Sequence, residues 1–169
     1  MPDRADEPKG VAPFRGFIQE RVALARKAKE KNGPDALKDW APMYLFYGCR
    51  RSNEDFLYKN EWPACEAELD GKFIMRTAFS REMTKPDGGK VYVQDQLWDE
   101  KDKIAPLILD KRAYVYICGD AHSMSKAVEA ALSKMLGESR GGDVDAGAKE
   151  LKLLKDRNVS QIYGVTNLS

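Results

Sequence analysis

Leu45-Phe46-Tyr47-Gly48-Cys49-Arg50-Arg51-Ser52, followed by Asp55-Phe56-Leu57-Tyr58, is the stretch on which the fold turns. A short apolar run closed by Gly-Cys-Arg-Arg reads as a buried parallel strand that ends in a turn. Ligands of open α/β sheets sit outside the carboxyl edge of the strands, and two guanidinium groups at such an edge suit a diphosphate. The same pattern recurs twice. Phe73-Ile74-Met75-Arg76-Thr77-Ala78-Phe79 delivers Ser80-Arg81, and Tyr114-Val115-Tyr116-Ile117 delivers Cys118-Gly119-Asp120.

Working outward, helical patterns separate these strands. Pro13 to Lys31 carries an apolar stripe of Phe14, Phe17, Ile18, Val22 and Ala25, and Asn32-Gly33-Pro34 ends it. Asn53 to Tyr58 and Glu61 to Leu69 read as short helices, and Asp70-Gly71 as a turn into the second strand. Lys85-Pro86-Asp87-Gly88-Gly89 is a solvated loop. Val93 to Asp99, Ile104 to Asp110, Ser123 to Leu136 and Val144 to Lys155 follow as helices, with Gly141-Gly142 breaking the last two apart. Strands alternating with helices predict an α/β fold with a parallel sheet.

Composition narrows the class. The chain has 169 residues, enough for one domain with a real core. Lys and Arg number 28 against 27 Asp and Glu, so no global field favours nucleic acid or an anionic membrane. No apolar run approaches the ~20 residues of a membrane helix, and Met1 to Asp6 lacks the apolar core of a signal peptide. The three cysteines, Cys49, Cys65 and Cys118, are widely spaced, which predicts reduced thiols inside a cell rather than a disulfide frame. With His122 as the single histidine, no metal site is expected.

Ser80 and Arg81, with Lys90 and Tyr92, combine a hydroxyl, two cations and a phenol past a strand end. Such a set fits a 2′-phosphate: arginine binds it bidentately, lysine adds a point charge, and tyrosine can stack on adenine. A domain selecting the unphosphorylated ribose would offer a carboxylate there instead. Taken alone, Ser-Arg-Glu also reads as an ordinary solvated turn. Cys49 on its own reads as a small buried hydrophobe, and Arg51, projecting opposite to Arg50, can serve a carboxylate of the protein.

Together these segments resemble the NADPH-binding half of the ferredoxin–NADP reductase superfamily, and most closely the diflavin NADPH–haemoprotein (cytochrome P-450) reductases. Gly10-Val11-Ala12-Pro13-Phe14 is similar to the end of that family's first nucleotide loop, and Lys90-Val91-Tyr92-Val93-Gln94 to its adenosine-binding segment. The resemblance implies a three-layer Rossmann-like parallel sheet of the ferredoxin–NADP reductase C-terminal type, spanning residues 10–158. Residues 1–9 form a leader and 159–169 a tail outside it. It implies binding of NADP(H) by Gly10, Cys49, Arg50, Ser80, Arg81, Lys90, Tyr92, Gln94, Gly119 and Met124, with Cys118 and Asp120 at the nicotinamide. Met124 also has the helical spacing of a core residue, and Asp120 could cap the helix that follows.

The resemblance further implies electron flow through FAD and FMN to a haem-protein acceptor, with the flavin-binding domains of a full-length reductase as partners. Family members sit on the cytoplasmic face of the endoplasmic reticulum through an anchor. The chain is expected to carry neither anchor nor flavin domains and to be soluble in the cytoplasm. The alternative is a non-catalytic fragment that binds NADP(H) weakly or not at all. Two departures motivate that alternative. Asp6-Glu7-Pro8-Lys9 stands where the family has a glycine-rich loop, and no apolar run precedes it, so the central first strand is expected to be missing. The tail from Val159 onward matches nothing in the family and reads as translated intron, although Tyr163 could replace a flavin-facing aromatic.

Overall fold

Alternating burial creates the first strand. In β1 (Met43–Cys49), Leu45 and Tyr47 are buried, and their neighbours Tyr44 and Phe46 stack on each other at 6.2 Å along the opposite face. The computed structural model describes residues 10–119, 123–156 and 160–164, and the chain divides into two compact units between Lys90 and Val91.

In the first unit, β1 runs parallel to β2 (Phe73–Phe79) in unbroken register from Met43 opposite Phe73 to Cys49 opposite Phe79. Two helices pack against this pair. The first, α1 (Ala12–Asn32), starts on Pro13 in its opening turn and ends at Gly33, whose φ of 82° lets its N–H reach the Lys29 carbonyl at 2.9 Å. The second, α2 (Trp62–Glu68), supplies the crossover that parallel pairing requires. Ile18, Val22 and Ala25 from α1 meet Leu45, Tyr47, Trp62, Leu69 and Phe73 in one core. Arg15 ties α1 to the start of α2 through a two-pronged contact with Glu61, at 2.8 and 3.1 Å.

Residues 53–58 are turns, not the helix that their pattern predicts. The Tyr47 hydroxyl organises them: it donates to the Asp55 carbonyl at 2.8 Å and accepts from the Leu57 N–H at 3.2 Å. Tyr58 then takes a left-handed φ of 56°, which no helix continues through.

The second unit holds α3 (Val93–Asp99), α4 (Lys101–Leu109), β3 (Val115–Gly119), α5 (Met124–Ser139), α6 (Val144–Asp156) and β4 (Ser160–Gly164). Val91, Leu97, Ile104, Ala105, Ile108, Ile117, Val128, Leu132, Met135, Leu136, Leu151 and Leu154 are its buried apolar residues. Helices α5 and α6 form a hairpin. Gly141 turns the chain at φ 70°, and the Asp143 side chain caps α6 by accepting the Ala146 N–H at 2.9 Å.

The hairpin closes on two glycines. A Cβ on Gly147 would lie 1.7 Å from the Ser133 carbonyl oxygen, and one on Gly137 would lie 2.0 Å from that of Asp143. Only glycine permits such an approach of main chain to main chain.

The tail, for which the sequence suggested no element, contributes β4, parallel to β3 from Val115 opposite Ser160 to Gly119 opposite Gly164. The architecture is therefore α/β with parallel strands. Among the described residues, however, the strands form two separate pairs, β1–β2 and β3–β4, not one continuous sheet.

Candidate functional site

The carboxyl edge of β1–β2 brings four of the predicted residues together. Hydrogen bonding continues beyond the strands: Ser80 N–H donates to the Cys49 carbonyl and Arg81 N–H to the Arg50 carbonyl, both at 3.0 Å. Cys49 and Arg50 thus lie beside Ser80 and Arg81 on adjacent segments. Arg50 and Arg81 are exposed, and Ser80 is half-buried. Phe56 supports this edge from below, 5.2 Å from the Tyr47 ring and 5.4 Å from that of Phe79. Arg51 faces Glu54, at 3.8 Å.

Cys49 is half-buried, and its thiol donates to the Arg51 carbonyl at 3.5 Å. Burial first, and then the nearby Asp55 and Glu82 carboxylates, push its pKa from 9.0 up to about 11. The consequence is a neutral thiol at physiological pH. Cys49 is expected to react with iodoacetamide more slowly than the same thiol in the unfolded chain, as mass spectrometry of timed samples would record. The native state holds the proton more tightly, so this contribution is fully present below pH 9.0 and is lost as pH rises toward about 11.

Lys90 ends a folded loop in the same unit. Lys85 N–H donates to the Gly89 carbonyl at 2.7 Å, Gly89 N–H to Asp87 Oδ1 at 2.8 Å, and Lys90 forms an antiparallel bridge with Thr84. Lys90 is exposed. Gly10 occupies the turn leading into α1.

The remaining predicted residues belong to the second unit. Tyr92, 45% exposed, precedes α3, and its N–H donates to Asp95 Oδ2 at 2.8 Å. Gln94 lies half-buried in the first turn of α3.

Cys118 is half-buried near the end of β3, and burial raises its pKa as well. Gly119 follows at φ 150°, a backbone region that disfavours a side chain. The Met124 side chain lies close over it: a Cβ there would be 2.6 Å from Met124 Cε. Asp120 and His122 lie outside the described residues.

Sequence reasoning passed over Glu82. Its carboxylate accepts the Ser52 N–H at 2.9 Å, across the gap between the turns that follow β1 and β2. The only signal was its place directly after Ser80-Arg81, where an acidic residue reads as a solvated turn.

Parallel strands joined by helices, with exposed Arg50 and Arg81 side by side past the ends of β1 and β2, define an α/β domain. Residues 9–130 match the Oxidoreductase NAD-binding domain family, and the chain belongs to it. It is 63% identical over 151 residues to a protein of Phanerodontia chrysosporium named NADPH–cytochrome P-450 reductase, covering 88% of this chain and 20% of that relative. Proteins of the same name from Aspergillus fumigatus and Saccharomyces cerevisiae are 43% and 42% identical over 146 residues, covering 86% of this chain and 19% and 20% of theirs. The chain thus spans about a fifth of the length of these relatives. No described helix is long and apolar enough to cross a membrane.

Proposed function

We propose that this chain is the NADP(H)-binding domain of a flavoprotein oxidoreductase that passes electrons from NADPH through FAD and FMN to a haem protein such as a microsomal monooxygenase. The observation that carries this reading is the edge where two backbone hydrogen bonds hold Ser80-Arg81 against Cys49-Arg50. The donor chemistry fits a doubly phosphorylated cofactor. Arg50 takes the diphosphate, beside Cys49. Ser80, Arg81 and Lys90 take the 2′-phosphate, Tyr92 stacks on adenine, and Gln94 and Gly10 complete the nucleotide contacts.

Cys118 and Asp120 stand at the nicotinamide in this reading, together with Gly119 and with Met124, whose side chain fills the space that a Cβ on Gly119 would take. When bound, NADPH supplies a hydride. Because burial keeps the Cys118 thiol protonated, it presents a neutral surface to the ring and no nucleophile that could add to it. The flavins and the haem acceptor belong, in this reading, to the remainder of a longer reductase on the cytoplasmic face of the endoplasmic reticulum, and no residue of this chain is assigned to flavin. The finer fold we infer is the three-layer Rossmann-like sheet, with its central first strand not contributed by residues 10–164. That each described strand pairs with a single neighbour supports it.

Calorimetric titration with NADP⁺, NAD⁺ and 2′-AMP tests the reading. Binding of NADP⁺ and 2′-AMP, but not NAD⁺, is the expected result. A folded chain that binds none of the three overturns it in favour of the second reading, a non-catalytic fragment. Two-stranded parallel pairs favour that alternative, because parallel strands are stable mainly within larger, covered sheets.

A further inference from the structure

Two consecutive amides follow β1, and both end on carboxylates. Arg51 N–H donates to Asp55 Oδ2 at 3.3 Å, and Ser52 N–H donates to Glu82 Oε1 at 2.9 Å. Consecutive N–H groups at a strand end commonly form an anion-binding nest. Here the protein's own carboxylates occupy them, so an incoming diphosphate meets side-chain cations, not backbone donors.

The two carboxylates differ in reach. Asp55 belongs to the same turn as the amide it caps. Glu82 lies 30 residues from Ser52 along the chain, directly past Ser80-Arg81. Its own backbone is fixed, because the N–H groups of Glu82 and Met83 both donate to the Phe79 carbonyl, at 3.0 and 2.8 Å. The Glu82 side chain therefore latches the turn after β1 to the turn after β2.

Resting on the NADP(H) reading, we propose that Glu82 is a positioning residue whose hydrogen bond to the Ser52 amide sets the spacing between the diphosphate anchor Arg50 and the 2′-phosphate anchors Ser80 and Arg81. A ligand that engages both anchors depends on that spacing; a ligand that engages one does not. The carboxylate's charge works against phosphate binding, so its acceptor geometry and its charge have opposite effects, and substitution separates them.

The test uses the intact chain with Glu82→Ala and Glu82→Gln, titrated with NADP⁺ and 2′-AMP, while amide hydrogen exchange is followed at Ser52. A hydrogen bond to a charged group, once lost, corresponds to about tenfold in affinity. Glu82→Ala is therefore expected to bind NADP⁺ about tenfold more weakly, to bind 2′-AMP at least as tightly as wild type, and to exchange the Ser52 amide faster. Glu82→Gln keeps the acceptor and loses the charge, so it is expected to bind NADP⁺ at least as tightly as wild type. NADP⁺ tightening in both variants would leave only a charge effect and overturn the inference. So would equal weakening of both ligands by alanine, or an unchanged Ser52 amide in that variant. A wild-type chain that binds neither ligand overturns the NADP(H) reading and takes this inference with it; the other adverse outcomes overturn this inference alone.

Discussion

Gly147→Ala is expected to destabilise the chain by about 3 kcal/mol or more, toward the upper end of what overpacking costs. The added methyl would sit 1.7 Å from the Ser133 carbonyl oxygen and 2.6 Å from the Gly137 nitrogen. Both are main-chain atoms, so no rotamer change relieves the clash, and α5 and α6 must separate. Separation would loosen Leu132, Leu136 and Leu151, which are all but fully buried. Gly16→Ala is the matched control. That glycine lies within α1, and a methyl group added to it would meet nothing within 4 Å. It is expected to gain about 0.5–1 kcal/mol, because alanine loses less backbone entropy in a helix. Urea denaturation of the three proteins checks both, and a Gly147→Ala midpoint within error of wild type would refute the close-approach argument.

Arg81→Ala is expected to weaken NADP⁺ and 2′-AMP by roughly 10- to 100-fold. Charge-assisted hydrogen bonds to an ionised group contribute about 1.5–3 kcal/mol, and Arg81 would supply a bidentate pair to the 2′-phosphate. Arg50→Ala separates the two anchors. It is expected to weaken NADP⁺ but to spare 2′-AMP, which carries no diphosphate. Competition binding with the three nucleotides reads both variants. An Arg81→Ala chain that binds 2′-AMP as tightly as wild type would count against a role in selecting the 2′-phosphate.

Much of the local structure was legible because it is written in short-range patterns. The alternation Leu45, Tyr47 and the turn residues Asp70-Gly71 bound β1 and β2 closely, and Pro13 and Gly33 bound α1. What escaped is what distant partners decide. Residues 53–58 have helical composition, but the Tyr47 hydroxyl claims their backbone groups. The apolar residues of the tail were too few and too mixed to announce β4, which exists as a strand through its pairing with β3.

The candidate site divides along the same line. Residue types at strand ends pointed to Arg50 and Arg81. Nothing in the sequence says that a carboxylate 30 residues away caps the Ser52 amide. The reason for glycine at 137 and 147 is visible only when the two helices meet.

The α5–α6 hairpin also has a kinetic meaning. Its closing contacts join Ser133 to Gly147 and Gly137 to Asp143, neighbours along the chain, whereas β3 and β4 must find each other across both helices. Short loops close at the smallest entropic cost, and proteins rich in local contacts fold fastest. The hairpin is therefore placed to form first and to hold the two strand-bearing ends at a limited separation, so that β3 and β4 search for register as tethered neighbours and not as the ends of an open coil.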